Sequence, residues 1–286
     1  MTSTDPPRVP REIPIRKPTF TFEGERPYWL KGEPSLTHLL HALSAAFPDG
    51  ERMFMDSVAH YRKRITDPTL RKEIAHFLAQ EANHAKAHEE FNAWVASQGF
   101  DMAPLDASVK ARIELGKKAP PIFRLAVTCA LEHFTAIMAE QLLEEPELLA
   151  EFDPKMAELW LWHAIEETEH KAVAFDVYQA VDGSYPRRVL VMALVTFRFL
   201  THVAWMKGHL MKTDPNSGGV GSKLRGMWTM WGNPGWFRRL VPAYADYFRR
   251  DFHPWDRDVG PALARARERL GFDRDGREGT KLDEAA

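Results

Sequence analysis

Residues 162–178 read WHAIEETEHKAVAFDVY, and residues 78–92 read LAQEANHAKAHEEFN. Each stretch holds a Glu followed three residues later by a His: Glu167 with His170, and Glu81 with His84. At about 100° per residue, positions i and i+3 of a helix share a face, so each pair can present a carboxylate and an imidazole to one centre. One such pair carries little weight, since a chain of this composition yields about one by chance. The third match, Glu73 with His76, is that background. His76 projects about 140° away from Glu81 on the same helix, and the pair is expected at the surface.

What precedes each pair raises the signal. Glu51 lies in GERMFMDSVAHYR (50–62) and Glu132 in TCALEHFTAIMAEQLL (128–143), each among apolar neighbours one helix earlier. Glu51 stands 30 residues before Glu81, and Glu132 stands 35 before Glu167. Two helical hairpins, each giving one Glu and then Glu-x-x-His, form the ligand set of di-iron and di-manganese carboxylate bundles. Four ionised carboxylates facing one core would be strongly destabilising without a counter-charge, and two divalent cations would supply it.

On these residues the chain resembles the ferritin-like superfamily over about 35–181. The blocks PDGERMFMDSVAHYR, LAQEANHAKAHEEFN, ALEHFTA and WHAIEETEHKAVAFDVY are also similar to a bacterial family labelled predicted metal-dependent hydrolases. His163 precedes Glu167 by four and His170 by seven, an arc of about 60°. This His-x-x-x-Glu-x-x-His is similar to the ligand helix of di-iron arylamine N-oxygenases, which implies that His163 is a seventh ligand. His88, at i+7 from Glu81, is expected behind the ligands, as is Glu166, with an arginine such as Arg62 as a candidate partner. The expected metal set is therefore Glu51, Glu81, His84, Glu132, His163, Glu167 and His170.

Carboxylate and imidazole donors without thiolates suit iron, with manganese or zinc as alternatives. The leading expectation is two iron ions and a di-iron oxidase or oxygenase acting with dioxygen on a small organic, hydrophobic substrate, reduced by an electron donor. A two-metal-dependent hydrolase is the second reading, and non-enzymatic iron handling the third. Thr128, Thr135, Ala136 and Ala139 share a face with Glu132, leaving either room for a substrate or close helix packing. Glu140, Glu144 and Glu145 are expected on a solvated face.

The remaining chain reads as all-α, a four-helix bundle with additional C-terminal helices, since no run alternates β-branched residues with period two. Residues 1–34 carry seven of the 20 prolines and predict an extended arm. The bundle is expected over 35–185. Ser35 starts a helix ending at Phe47, and Pro48-Asp49-Gly50 breaks it before a second begins near Glu51. Further helices are expected from Asp67-Pro68 to about Gln98 with Gly99 as the stop, from about Asp106 to Leu143 with an interruption at Pro120-Pro121, and from Asp153-Pro154 to Val181. Residues 186–270 are apolar and Trp-rich, suited to packing on the bundle or to a membrane interface, and 271–286 form a polar tail. A net charge of -2 gives no electrostatic footprint for nucleic acid. The single cysteine, Cys129, excludes an internal disulfide and a thiolate-rich metal site. With no signal-peptide pattern at its start, the chain is expected in the cytoplasm, with peripheral membrane contact and a homodimer both left open.

Overall fold

The structure is a computed structural model that describes residues 13–22 and 27–272. Most of the polar tail and part of the N-terminal arm lie outside the described residues. The secondary structure is helical, and an isolated antiparallel bridge joins Leu30 and Phe152. The helices are α1 (Pro34–Tyr61), α2 (Pro68–Ser97), α3 (Ala103–Gly116), α4 (Pro121–Glu144), α5 (Pro146–Leu149), α6 (Pro154–His170), α7 (Val173–Val181), α8 (Tyr185–Thr213), α9 (Gly219–Trp231), α10 (Trp236–Asp246) and α11 (Gly260–Arg269). The all-α helical bundle is therefore as expected.

Local chemistry places the helix ends. The Asp67 side chain accepts from the Thr69 backbone N–H, and Asp153 accepts from that of Lys155, each with Pro as the first helical residue. Proline loses nothing there, because the first N–H groups of a helix have no partner inside it. Past the end of α2, Gly99 takes φ +91°, a conformation that costs glycine little.

Two expected boundaries are corrected. Pro48 does not break the first helix: α1 runs through it to Tyr61. Proline in a helix interior frees the carbonyl four residues earlier, here that of Ser44. Asn92 on α2 donates its Nδ2 to that carbonyl at 3.0 Å, so the neighbouring helix supplies the bond that proline removes. The expected Asp153–Val181 helix is instead two, interrupted after His170. Just before the interruption, the Thr168 hydroxyl donates to the Ala164 carbonyl at 2.8 Å, which competes with the backbone ladder and bends helices. At the junction, Lys171 reaches across to Glu140 on α4 at 2.7 Å.

Helix α1 packs along α2, and α4 along α6, while α2 also meets α6 and α7. Apolar clusters fill the bundle on either side of its polar centre, one around Leu39, Phe91 and Trp162, the other around Phe77, Leu125 and Tyr178. The arm 13–22 crosses the outside with Ile13 and Arg16 buried. Helix α8 lies over α1 and α4. Its C-terminal end is pinned by Asp214, which accepts from the Tyr28 hydroxyl at 2.6 Å and pairs with His38 at 2.9 Å.

Asn92→Ala would orphan the Ser44 carbonyl beside Pro48. It should cost about 1–3 kcal/mol, the penalty for a buried group left without its bond, measured as a lowered midpoint in urea unfolding.

Candidate metal centre

Helices α1, α2, α4 and α6 bring Glu51, Glu81, His84, Glu132, His163, Glu167 and His170 to one place at mid-bundle, all buried. Three overlapping groups have ligand atoms within 4.8 Å of one another: Glu51 with His84 and His163; Glu81 with Glu132 and His170; and Glu81 with His84 and Glu167. The first two share no residue. The third draws on both and adds Glu167, so Glu81 and Glu167 stand between two potential centres.

The histidines are oriented from behind, and their partners fix which nitrogen carries the proton. Asn92 Nδ2 is committed to the Ser44 carbonyl, so its Oδ1 accepts the Ser44 hydroxyl proton at 2.7 Å. The Ser44 oxygen must then accept from His88 Nδ1, 2.8 Å away. Burial holds the His88 pKa well down, so its ring is neutral and Nε2 is bare. That atom accepts from His163 Nδ1 at 2.7 Å, leaving His163 Nε2 with a lone pair aimed inward. It stands 3.0 Å from Glu167 Oε1 and 3.9 Å from Glu51 Oε1. Burial, and then the nearby His84, push His163 down to about 4, so this ring is neutral at pH 7.

His170 follows the same logic. Gln80 Nε2 donates to the Pro14 carbonyl at 2.8 Å and to Glu169 at 3.0 Å. Its Oε1 is therefore an acceptor for His170 Nδ1, at 2.8 Å. His170 Nε2 points inward, 3.0 Å from Glu81 and 3.8 Å from Glu132. His84 is reversed: its Nε2 donates to Glu166 at 3.0 Å, and its Nδ1 faces Glu167 at 3.4 Å.

A ring of charge closes behind these groups. Arg16, from the N-terminal arm, binds Glu169 through both terminal nitrogens at 2.8 Å and Glu166 at 3.2 Å. Arg267 on α11 adds a bond to Glu169 at 2.8 Å. Two carboxylates and two guanidiniums balance one another, so this ring lends no net charge to the interior. Inside it, both oxygens of Glu51, Glu81 and Glu132, Glu167 Oε2, His84 Nδ1 and His170 Nε2 are buried with no hydrogen-bond partner.

Electrostatics reflect that crowding. Burial, then the Glu81 charge, raise Glu51 and Glu132 well above the usual carboxylate range. Glu167 is held well below it: burial opposes ionisation, but His170 and His84 outweigh that cost. His84 is pushed up to about 10, its bond to Glu166 and the facing Glu167 carboxylate overcoming burial. The polypeptide alone can thus tolerate the site only by loading protons onto it. Partnerless carboxylate oxygens and inward imidazole nitrogens fit a divalent cation of the iron, manganese or zinc kind.

Several expected roles change. Glu166 pairs with Arg16; Arg62 ends α1 on the surface. His76 is outside the centre and bonds the Ile13 carbonyl, but Glu73 is buried, so this pair is not simply surface. Glu140 is not on a solvated face: it is buried between Lys171 and Arg257. Gln80, Glu169, Arg16, Arg267 and Ser44 were missed. Glu169 at i+2 from Glu167 offered the one sequence signal, a third carboxylate in EETE that points away from the face of Glu167 and His170.

An apolar cavity of about 100 Å³ ends at His163 and Glu167. Thr135 and Ala139 line it with Leu43, Met138 and Leu142, and Trp236 and Phe237 of α10 complete the wall. Of the small residues flanking Glu132, Thr135 and Ala139 therefore leave room, whereas Thr128 is packed against Ser57, its hydroxyl 2.7 Å away.

Arg16→Met should weaken metal retention by about ten- to a hundredfold, as loss of groups that orient ligands does. Arg16→Lys, keeping the charge without the two-pronged bond, should fall between. Metal content after dialysis against a graded chelator measures both.

The family described as "Predicted metal-dependent hydrolase" matches residues 14–258. No curated protein and no solved structure gives a significant match. The family's description replaces the expected oxidase or oxygenase with hydrolysis, the second of the readings made from the residues. Helix architecture and donor types do not separate those chemistries, since both draw on carboxylates and imidazoles. Matched over most of its length, the chain belongs to the family of predicted metal-dependent hydrolases.

Proposed function

We propose that the protein is a two-metal-dependent hydrolase cleaving an ester- or amide-type bond in a substrate with an apolar portion. The observation that carries the reading is the proton arrangement of the three inner histidines. Each gives its outer N–H to an oriented acceptor, as metal-bound imidazoles do, and turns its other nitrogen toward carboxylates. Glu51, His84 and His163 would hold one cation, and Glu81, Glu132 and His170 the other, with Glu167 beside both. Four carboxylates against two divalent ions leave the centre neutral. Iron, manganese and zinc all suit this donor set.

Bound there, paired cations supply Lewis-acid polarisation of a carbonyl and a water of lowered pKa. The chain's own residues do the rest. The apolar wall of Leu43, Met138, Leu142 and Phe237 would hold the substrate's hydrocarbon portion and exclude bulk water. That places the scissile group at the inner end, beside Glu167 and His163. The His163–His88–Ser44–Asn92 chain keeps the imidazole from rotating.

The metal-loaded protein should hydrolyse acyl esters or amides with a preference for apolar acyl chains, and exhaustive chelation should abolish the activity. Ala139→Phe, which narrows the cavity at a residue that is not a proposed ligand, should lower kcat/KM at least about tenfold with metal content unchanged. An absence of hydrolysis of esters, amides and phosphoesters alike, with iron, manganese and zinc each at full occupancy, would refute the proposal.

A further inference from the structure

The C-terminal helices carry a surface that the metal centre does not explain. Helix α8 buries Met192, Val195, Val203, Met206 and Leu210 against the bundle. Its opposite face exposes Leu190, Leu194, Phe197 and Trp205, with Phe197 71% exposed. These positions recur at helical spacing, so they form a stripe. Helix α9 repeats the pattern: Val220, Leu224, Met227, Trp228 and Trp231 are all exposed, Trp228 at 68%. Both helices pack on α1. Large apolar side chains left out of the core in this density mark an interaction surface.

Charge decides the partner. Residues 185–245 contain nine Lys and Arg and a single acid, Asp214, in a chain whose net charge is -2. Asp214 is buried and occupied by Tyr28 and His38, so it does not offset the surface. Arg225 and Arg239 are paired with Glu33 and Glu145. Arg198, Lys212, Lys223 and Arg238 are exposed and make no ion pair among the described residues. Arg198 and Lys223 sit within the apolar stripes themselves, beside Phe197 and Leu224.

We propose that the outer faces of α8 and α9 dock this protein on an anionic phospholipid bilayer. Apolar side chains flanked by Lys and Arg, with tryptophans among them, match the acyl boundary and the charged headgroups of such a surface. A second copy fits less well, because a two-fold contact of this face with itself would oppose like charges. The inner face of α8 packs on α1 and α4, so its outer face is the one free to meet lipid. The surface also adjoins the cavity, since the exposed ring of Trp231 lies 5.6 Å from that of Phe237 in the cavity wall. An apolar molecule leaving the bilayer there would meet the cavity mouth. The docking itself does not depend on the reaction assigned to the metal centre.

Flotation of the full-length, metal-loaded chain with vesicles tests this. It should float with phosphatidylcholine–phosphatidylglycerol vesicles and not with phosphatidylcholine alone, and added salt should release it. Phe197→Ser/Trp228→Ser should reduce the bound fraction at least about tenfold, and Arg198→Glu/Lys223→Glu by a similar factor. All four positions are exposed, and unchanged circular dichroism would show the fold intact. Failure to float with either vesicle at low salt would overturn the proposal. So would flotation that neither double variant reduces. A concentration-dependent dimer that Phe197→Ser/Trp228→Ser dissolves, in a protein that does not float, would reassign the face to a second copy.

Discussion

Glu51, Glu81, Glu132 and Glu167 are buried side by side in the middle of the bundle, and most of the structure around them serves to make that arrangement tolerable. Removing a carboxylate from water costs several kcal/mol even after relaxation. Four together cannot all ionise unless cations stand among them. In the polypeptide alone, burial and then that repulsion hold Glu51 and Glu132 well above the normal range, and His84, bonded to Glu166 and facing Glu167, is raised to about 10. Metal binding would replace those protons with cations, which couples the ion to the stability of all four helices.

The arrangement is kept stiff by groups that never face the centre. Glu166 and Glu169 hang from the same helix turn as Glu167 and His170, yet they point outward into Arg16 and Arg267. One side of this ring therefore holds His84, and the other holds His170 through Gln80. Because the ring is neutral within itself, it orients ligands without weakening their demand for a cation. Arg16 comes from the N-terminal arm and Arg267 from α11, so segments at both ends of the described chain close over the centre. Pro48 ties in from another direction. The carbonyl it frees recruits Asn92, and Asn92 then fixes Ser44, His88 and His163 in sequence.

The C-terminal third gives the protein two kinds of surface at once. Helix α8 closes the bundle with one face and leaves an apolar, basic stripe on the other, while α10 contributes Trp236 and Phe237 to the cavity. These residues connect the outside of the molecule to the side of the centre where His163 and Glu167 stand. Helices α4 and α8 are both long and apolar enough to cross a membrane by composition. Their burial separates them: α4 is a core helix that carries Glu132, and α8 is a covering helix whose outer face the described residues leave uncovered.

The sequence by itself determined the all-α architecture and the two repeats of Glu followed by Glu-x-x-His. Helical spacing is a local property, so i, i+3, i+4 and i+7 relations could be read without knowing what the helices pack against. The inward set of Glu and His was legible for the same reason, and so was the difference between Glu81–His84 and Glu73–His76. Only the tertiary structure decided that Arg16 rather than Arg62 meets Glu166, that Glu73 and Glu140 are buried, and that Pro48 leaves α1 unbroken. Each depends on a side chain arriving from a distant segment, as Arg16 does across 150 positions to Glu166 or Asn92 across 48 to Ser44. No periodicity within one helix encodes such an arrival. The reaction class lay beyond both kinds of local reading, because one set of carboxylates and imidazoles serves oxidative and hydrolytic centres alike; membership of the family indicated hydrolysis.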